Sequence, residues 1–186
     1  MGKLIAAINI TQDGFCEHTN VIADEEHHQF SNNLLKDSET VLFGRVTYEL
    51  FESYWPNIAK IKSGVKSVDE FAQLIDKVHK IAFSRTVSGI QWSNTTLIRD
   101  ITQDQIIKLK QGSDKNILVL GSPTIIAKLT ELKLIDEYYF SIQPIIAGNG
   151  VRLFDTVHLN KTRKLKLLDI TTFKSGVTTL CYRTKN

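Results

Sequence analysis

Three short stretches of this chain combine residue types that can hold an anion. In Val41-Leu42-Phe43-Gly44-Arg45-Val46-Thr47-Tyr48-Glu49 an apolar run ends at a glycine, and an arginine follows. After Arg45 the apolar spacing turns helical: Val46 and Leu50 are four apart, Tyr48 and Phe51 three, Phe51 and Trp55 four, which reads as one helix face. A helix start carries unpaired N–H groups and partial positive charge, a glycine admits close approach, and a guanidinium is a fork for phosphate. The second stretch is Ser84-Arg85-Thr86, an arginine between hydroxyls after the apolar run 78–83. The third is Gly121-Ser122-Pro123-Thr124, after the run Asn116-Ile117-Leu118-Val119-Leu120, with Pro123 suited to a first helical turn. Each stretch alone is equally an ordinary strand-to-helix turn with a solvated arginine. Neither G-x-G-x-x-G after the first strand nor G-x-x-x-x-G-K-[ST] is present, so the dinucleotide fingerprint and the P-loop drop out.

The acids are fewer. Asp13-Gly14 follows the first apolar run and reads as turn chemistry. Asp24-Glu25-Glu26 precedes Phe30 and Leu34 at helical spacing, where negative charge suits a helix start. His27 and His28 are adjacent, about 100 degrees apart on a helix, and cannot form the i, i+4 pair a metal wants. Cys16 and Cys181 have no metal-ligand spacing, so no metal site is predicted.

The elements that must position these residues alternate. Residues 3–10 form a buried first strand, a helix starts near 24–26, and a strand ends at 43–44 before the second helix. Residues 57–66 read as a loop, 68–74 as a short helix, 78–83 and 95–99 as strands, and 102–111 as a helix with an N-cap candidate. Residues 116–121 are a strand, and Ile125, Leu129 and Leu132 mark a helix. Residues 136–146 read as a long strand region, and 166–173 with 177–183 as a closing antiparallel hairpin across Ser175-Gly176. This alternation predicts an α/β fold with a mostly parallel central sheet flanked by helices, whose right-handed crossovers collect the loops after the strands on one edge. Ligands bind at such an edge, so the three anion stretches can converge there.

Whole-chain properties agree with one soluble globular domain over residues 1–186. The chain is 42% hydrophobic and 23% charged, with 3 Pro and 10 Gly. A net charge of +3, with the basic run Lys161-Thr162-Arg163-Lys164-Leu165-Lys166 read as a solvated face, suits a small anionic ligand better than nucleic acid. No membrane-length apolar run or signal peptide is evident, and a reducing cytoplasm is expected.

In this order the residues resemble the dihydrofolate reductase-like fold, and within it the C-terminal reductase domain of the bifunctional riboflavin-biosynthesis deaminase-reductase. The resemblance rests on Ile10-Thr11-Gln12-Asp13-Gly14-Phe15, residues 43–49, Phe83-Ser84-Arg85-Thr86, Leu120-Gly121-Ser122-Pro123, Leu134-Ile135-Asp136-Glu137, and residues 143–154. It runs nearly end to end. It implies NADPH as cofactor: Gly44, Arg45 and Thr47 at the phosphates, Ser84, Arg85 and Thr86 at the adenosine 2′-phosphate, and Gly121, Ser122, Pro123 and Thr124 at the pyrophosphate. It implies a reductase of a pterin-like or ribosylaminopyrimidine-like heterocycle, similar to 5-amino-6-(5-phosphoribosylamino)uracil reductase. Dihydrofolate reduction or a non-catalytic NADP-binding, regulatory module are the alternatives. Residues 16–23 carry none of the Trp and Pro of dihydrofolate reductases, and the chain lacks the H-x-E and P-C-x-x-C zinc signature of the deaminase half, so a stand-alone reductase domain is expected. The substrate pocket is predicted between Asn9, Thr11, Asp13, Asp24, Glu26 and Phe30. Glu26 matches the acid of dihydrofolate reductase if a gap is allowed, with Asp24 a near rival. A carboxyl shielded by Phe30 and a bound ring has its pKa raised and can donate a proton, which makes Glu26 the first catalytic candidate and Asp13 the second. The resemblance also implies a homodimer paired through the sheets, with residues 136–146 and the hairpin as surfaces.

Overall fold

The computed structural model describes residues 1–185. Its elements run β1 (Leu4–Thr11), α1 (Glu25–Lys36), β2 (Ser38–Gly44), α2 (Arg45–Ile61), α3 (Lys66–Lys77), β3 (His79–Phe83), β4 (Thr95–Ile98), α4 (Gln103–Gly112), β5 (Asn116–Leu120), α5 (Pro123–Glu131), β6 (Glu137–Gln143), β7 (Leu165–Thr172) and β8 (Thr178–Thr184). The strands form one sheet ordered β4-β3-β2-β5-β1-β6-β8-β7. From β4 to β6 every pairing is parallel, and β8 and β7 add antiparallel. The α/β architecture with a closing hairpin is therefore as the sequence predicts.

The central strands carry unbroken apolar runs, Leu4–Ile8, Val41–Phe43 and Ile117–Leu120, because both sheet faces are covered. Leu4, Ala6 and Ile8 of β1 join Leu42, Ile117, Val119 and the α5 residues Ile126 and Leu129 on one face. The intervening Ile5 and Ala7 join Val41, Phe43, Leu118, Tyr48 and Phe71 on the other. A one-residue slip of β1 would exchange the two sets, so burial on both faces pins the register.

Three boundaries differ from the sequence reading. Residues 57–66 are mostly not a loop: α2 continues through Pro56 to Ile61. Buried Ile58 and the Gln73 Nε2 of α3, which donates to the Ala59 carbonyl at 2.5 Å, hold that last turn in place. The short helix at 68–74 extends over Lys66–Lys77. The last parallel strand ends at Gln143 rather than Ile146, because Pro144 has no N–H to donate and Ile145 N turns back to the Gln143 carbonyl at 2.8 Å.

Behind β3 a buried lysine closes the end of α3. Lys80 is inaccessible to solvent, and its Nζ donates to the carbonyls of Ile75 (3.1 Å), Asp76 (2.8 Å) and Val78 (2.9 Å) beneath the Trp92 ring, 4.5 Å from its centroid. Trp92 Nε1 in turn donates to Asp76 Oδ1 at 2.8 Å. Burial lowers the Lys80 pKa to about 8, with Asp76 opposing the shift. Replacing Lys80 with Met keeps the volume and strands three carbonyls; the expected loss is about 2 kcal/mol in urea unfolding, the scale of hydrogen bonds to a charged group.

Candidate functional site

A cleft of about 830 Å³ opens at the C-terminal edge of the parallel strands. Its walls include the ends of β1, β2, β3 and β5, the starts of α2 and α5, and one side of α1. All ten residues of the three anion stretches, Gly44, Arg45, Thr47, Ser84, Arg85, Thr86 and Gly121 to Thr124, lie in this one wall. The two strand–helix turns are tied to each other, because the Gly44 N–H donates to the buried Ser122 Oγ at 2.9 Å. Ser122 reaches that position in the left-handed region (φ 58°), next to Gly121 at φ 65°. A methyl group on Gly44 would come within 3.1 Å of Ile125 Cγ1, and one on Gly121 within 3.4 Å of Thr47 Cγ2. The turns thus pack each glycine against the side chains of the other turn's helix at the cleft floor.

The helix starts here are open. The N-cap residues of α1 and α4, Asp24 and Thr102, accept first-turn N–H groups with their side chains, whereas Gly44 and Ser122 at α2 and α5 make no such bond. Two sets of first-turn donors with aligned dipoles therefore face the cleft floor without a side-chain cap.

At the third stretch, Ser84 Oγ accepts from the N–H groups of Thr86 (3.2 Å) and Val87 (3.0 Å). Arg99 Nη1 clamps the same turn by donating to the carbonyls of Ser84 (3.3 Å) and Val87 (2.9 Å). Arg85 pairs with Asp100 through Nε at 2.6 Å and is 78% exposed; Arg45 pairs with Glu49 at 2.9 Å, both about half exposed. Exposed pairs of this kind are worth at most about 1 kcal/mol, so an incoming phosphate can displace either acid. Arg99 was not singled out by the sequence reading; its signal was a basic residue directly after the 95–98 strand.

The predicted substrate residues divide. Asn9 and Phe30 line the cleft, while Thr11, Asp13, Asp24 and Glu26 do not. Glu26 Oε2 accepts the Lys174 N–H of the β7–β8 turn at 2.7 Å. Asp24 is the α1 N-cap, accepting from His27 N at 2.8 Å. Asp13 accepts the Thr11 hydroxyl (2.6 Å) and the N–H groups of Ala147 (3.1 Å) and Gly148 (2.7 Å). The first of these bonds, with the Gly148 N–H, lowers its pKa to about 2, opposite to the rise expected of a proton donor. All three carboxylates predicted for the pocket are thus acceptors for backbone N–H groups.

Several wall residues escaped the sequence reading. The apolar residues of α2 occupy two faces rather than one: Tyr48 and Ile58 are buried, with Phe51 and Trp55 packed against the same core, while Val46, Leu50 and Tyr54 stand at the cleft, 65%, 37% and 50% exposed. His27 and His28 also line it. Burial, with the nearby His28 charge, lowers the His27 pKa to about 4, so its ring is neutral near pH 7. The Asp24 carbonyl lies 2.9 Å from His28 Nδ1, and as a pure acceptor it requires the proton on that nitrogen.

The family model for the RibD C-terminal domain matches residues 2–179. The chain belongs to this family. A relative from Bacillus subtilis (strain 168), the uncharacterized protein YyaP, is 28% identical over 183 residues, covering 97% of this chain and 94% of YyaP. Among solved structures, a candidate riboflavin biosynthesis protein from Shewanella sp. PV-4 superposes with a TM-score of 0.73 at 17% identity, covering 99% of each chain. Dihydrofolate reductase from Enterococcus faecalis, complexed with NADP(H) and RAB-propyl, superposes with a TM-score of 0.60 at 11% identity, covering 100% of this chain and 98% of that one. These likenesses carry the dihydrofolate reductase-like fold of this RibD C-terminal domain.

The Gly44–Ser122 bond is expected to set the floor of its cleft. Ser122→Ala leaves a buried N–H unpaired and is expected to cost about 1–3 kcal/mol in chemical unfolding, with Ser122→Thr recovering part of the loss.

Proposed function

We propose that this RibD C-terminal domain is an NADPH-dependent reductase of a heterocyclic substrate. The observation that carries this reading is the convergence on one cleft of two uncapped helix starts and the Ser84-Arg85-Thr86 turn. The first-turn N–H groups of Arg45 to Thr47, with those of Ser122 and Thr124, suit the pyrophosphate, and the glycine floor admits it closely. Two hydroxyls and a guanidinium at 84–86 suit a dianionic phosphate ester, where an NAD site would present an acid to the ribose. The NADP(H) complex of the distant dihydrofolate reductase is in keeping with this cofactor.

Bound NADPH would supply a hydride; the chain's own work is placement and proton supply. Asn9 stands at the end of β1 with its Oδ1 accepting from the buried Gln143 Nε2 at 3.0 Å, which fixes its amide and aims the amino group as a donor. With Glu26 and Asp13 engaged elsewhere, His28 is the proton-carrying side chain that α1 brings to the cleft, its Nδ1 proton held by the Asp24 backbone carbonyl and its Nε2 left for substrate or water. The remaining cleft carboxylate, Glu17, accepts the Val151 N–H at 3.1 Å. That occupied state lends its support to the second reading, a non-catalytic NADP-binding module. NADPH oxidation with a panel of heterocycles separates the two.

Arg85→Ala is expected to weaken NADPH binding at least tenfold and NADH binding little; equal wild-type affinity for the two cofactors, measured by calorimetric titration, would contradict the assignment.

We further propose a cytoplasmic homodimer that acts on a small molecule without nucleic-acid or membrane partners. Among the described residues no helix is long and apolar enough to cross a membrane. Strand β6 is flanked by β1 and β8, which leaves β7 as the free edge of that side, with Leu167 and Ile170 44% and 54% exposed. Sedimentation at micromolar concentration is expected to give twice 21.1 kDa, and a single species near 21.1 kDa would count against the dimer.

A further inference from the structure

The cleft is chemically two-ended. Its arginines, Arg45 and Arg85, both sit where strands end. At a rise of 1.5 Å per residue, Trp55 lies roughly 15 Å along α2 from Arg45. The far end is aromatic: the Trp55 and Phe71 rings stand 4.5 Å apart, Phe51 is 6.1 Å from Trp55, and His28 is 6.4 Å from Trp55. Phe30 closes the α1 side, itself braced by Tyr139 at 6.0 Å and Phe173 at 5.9 Å. Along the rim Val46, Leu50 and Tyr54 repeat every four residues, exposed although large and apolar, an arrangement that favours an occupant.

The charges decide what that occupant is. Among the described residues, no lysine or arginine lines the cleft besides Arg45 and Arg85, and its one carboxylate, Glu17, is taken by Val151. A phosphate at the aromatic end would be stripped of water with no lysine or arginine to meet it, only the imidazoles of His27 and His28, and an ammonium would find no free acid. A flat neutral ring loses nothing polar there and gains stacking on Trp55 and apolar cover from Leu50 and Tyr54. We propose that the aromatic end takes a flat, uncharged ring compound without a phosphate group. The phosphoribosyl substituent of a ribosylaminopyrimidine substrate finds no lysine or arginine there. This deepens the reductase reading and rests on it for the assignment of the arginine end to the cofactor.

The test uses riboflavin and its 5′-phosphate, flat rings that differ by one phosphate, titrated by flavin fluorescence quenching into protein saturated with NADP⁺. Riboflavin is expected to bind at least tenfold tighter than the phosphate ester. Trp55→Ala and the exposed-site variant Tyr54→Ser are expected to weaken it at least fivefold with NADP⁺ affinity unchanged. Equal or tighter binding of the phosphate ester, no riboflavin binding, or riboflavin binding indifferent to both variants would overturn the proposal. NADP⁺ binding is measured first by calorimetry. Its failure strikes the cofactor reading alone, since the two flavins can then be compared on the free protein. Dissociation of an oligomer by Tyr54→Ser, without any riboflavin binding by the wild type, would assign the apolar rim to a second copy of the chain and overturn the ring site.

Discussion

The bond from Gly44 N–H to Ser122 Oγ is the constraint on which the site depends. It joins two turns 78 residues apart in sequence, at the ends of strands adjacent in the sheet, β2 and β5. It also occupies the side chain at the N-cap of α5, which would otherwise be free to cap its own helix. Ser122 sits in the left-handed region, which costs a non-glycine residue something on the order of 1 kcal/mol. A satisfied buried N–H offsets a penalty of that size, and the outcome is two helix starts left open side by side.

The opposite wall is built by acids acting on backbone. Asp13 gathers Ala147 and Gly148, Glu17 gathers Val151, and Gln143, fully buried, bridges Asn9 and the Ile22 N–H. These bonds fold residues 144–152 onto the turn after β1, and Arg152 stacks over Phe15 at 4.4 Å. Used this way, Asp13 keeps a low proton affinity, which suits it to shaping a loop and unsuits it to donating a proton. Away from the arginines the cleft carries Cys16, His18, neutral His27, His28 and an aromatic wall.

What the sequence by itself determined was the fold and the anion-binding edge. Both follow from local patterns: apolar runs such as 41–43 and 117–120 require burial on two faces, and glycine or Ser-Pro at their ends requires a turn into a helix. A right-handed parallel sheet then has one edge on which Gly44, Ser84 and Gly121 can meet. The resemblance to riboflavin-type reductases rests on the same local motifs.

Only the tertiary structure decided which side chains face the cleft. Glu26 and Lys174 are 148 residues apart in sequence, and nothing local marks that carboxylate as the acceptor of a distant turn. Asp13 likewise depends on a loop 134 residues away. On α2, Val46, Leu50 and Tyr54 follow one helical spacing and Tyr48, Phe51, Trp55 and Ile58 another, so periodicity shows two apolar stripes without saying which one meets the core; the packing of α3 against Phe51 and Trp55 makes that choice. Even the end of α2 depends on Gln73 reaching back from α3. Short-range chemistry sets the elements and their ends, while long-range packing sets the direction of each polar group, because a buried donor or acceptor is satisfied by whatever the fold brings within about 3 Å.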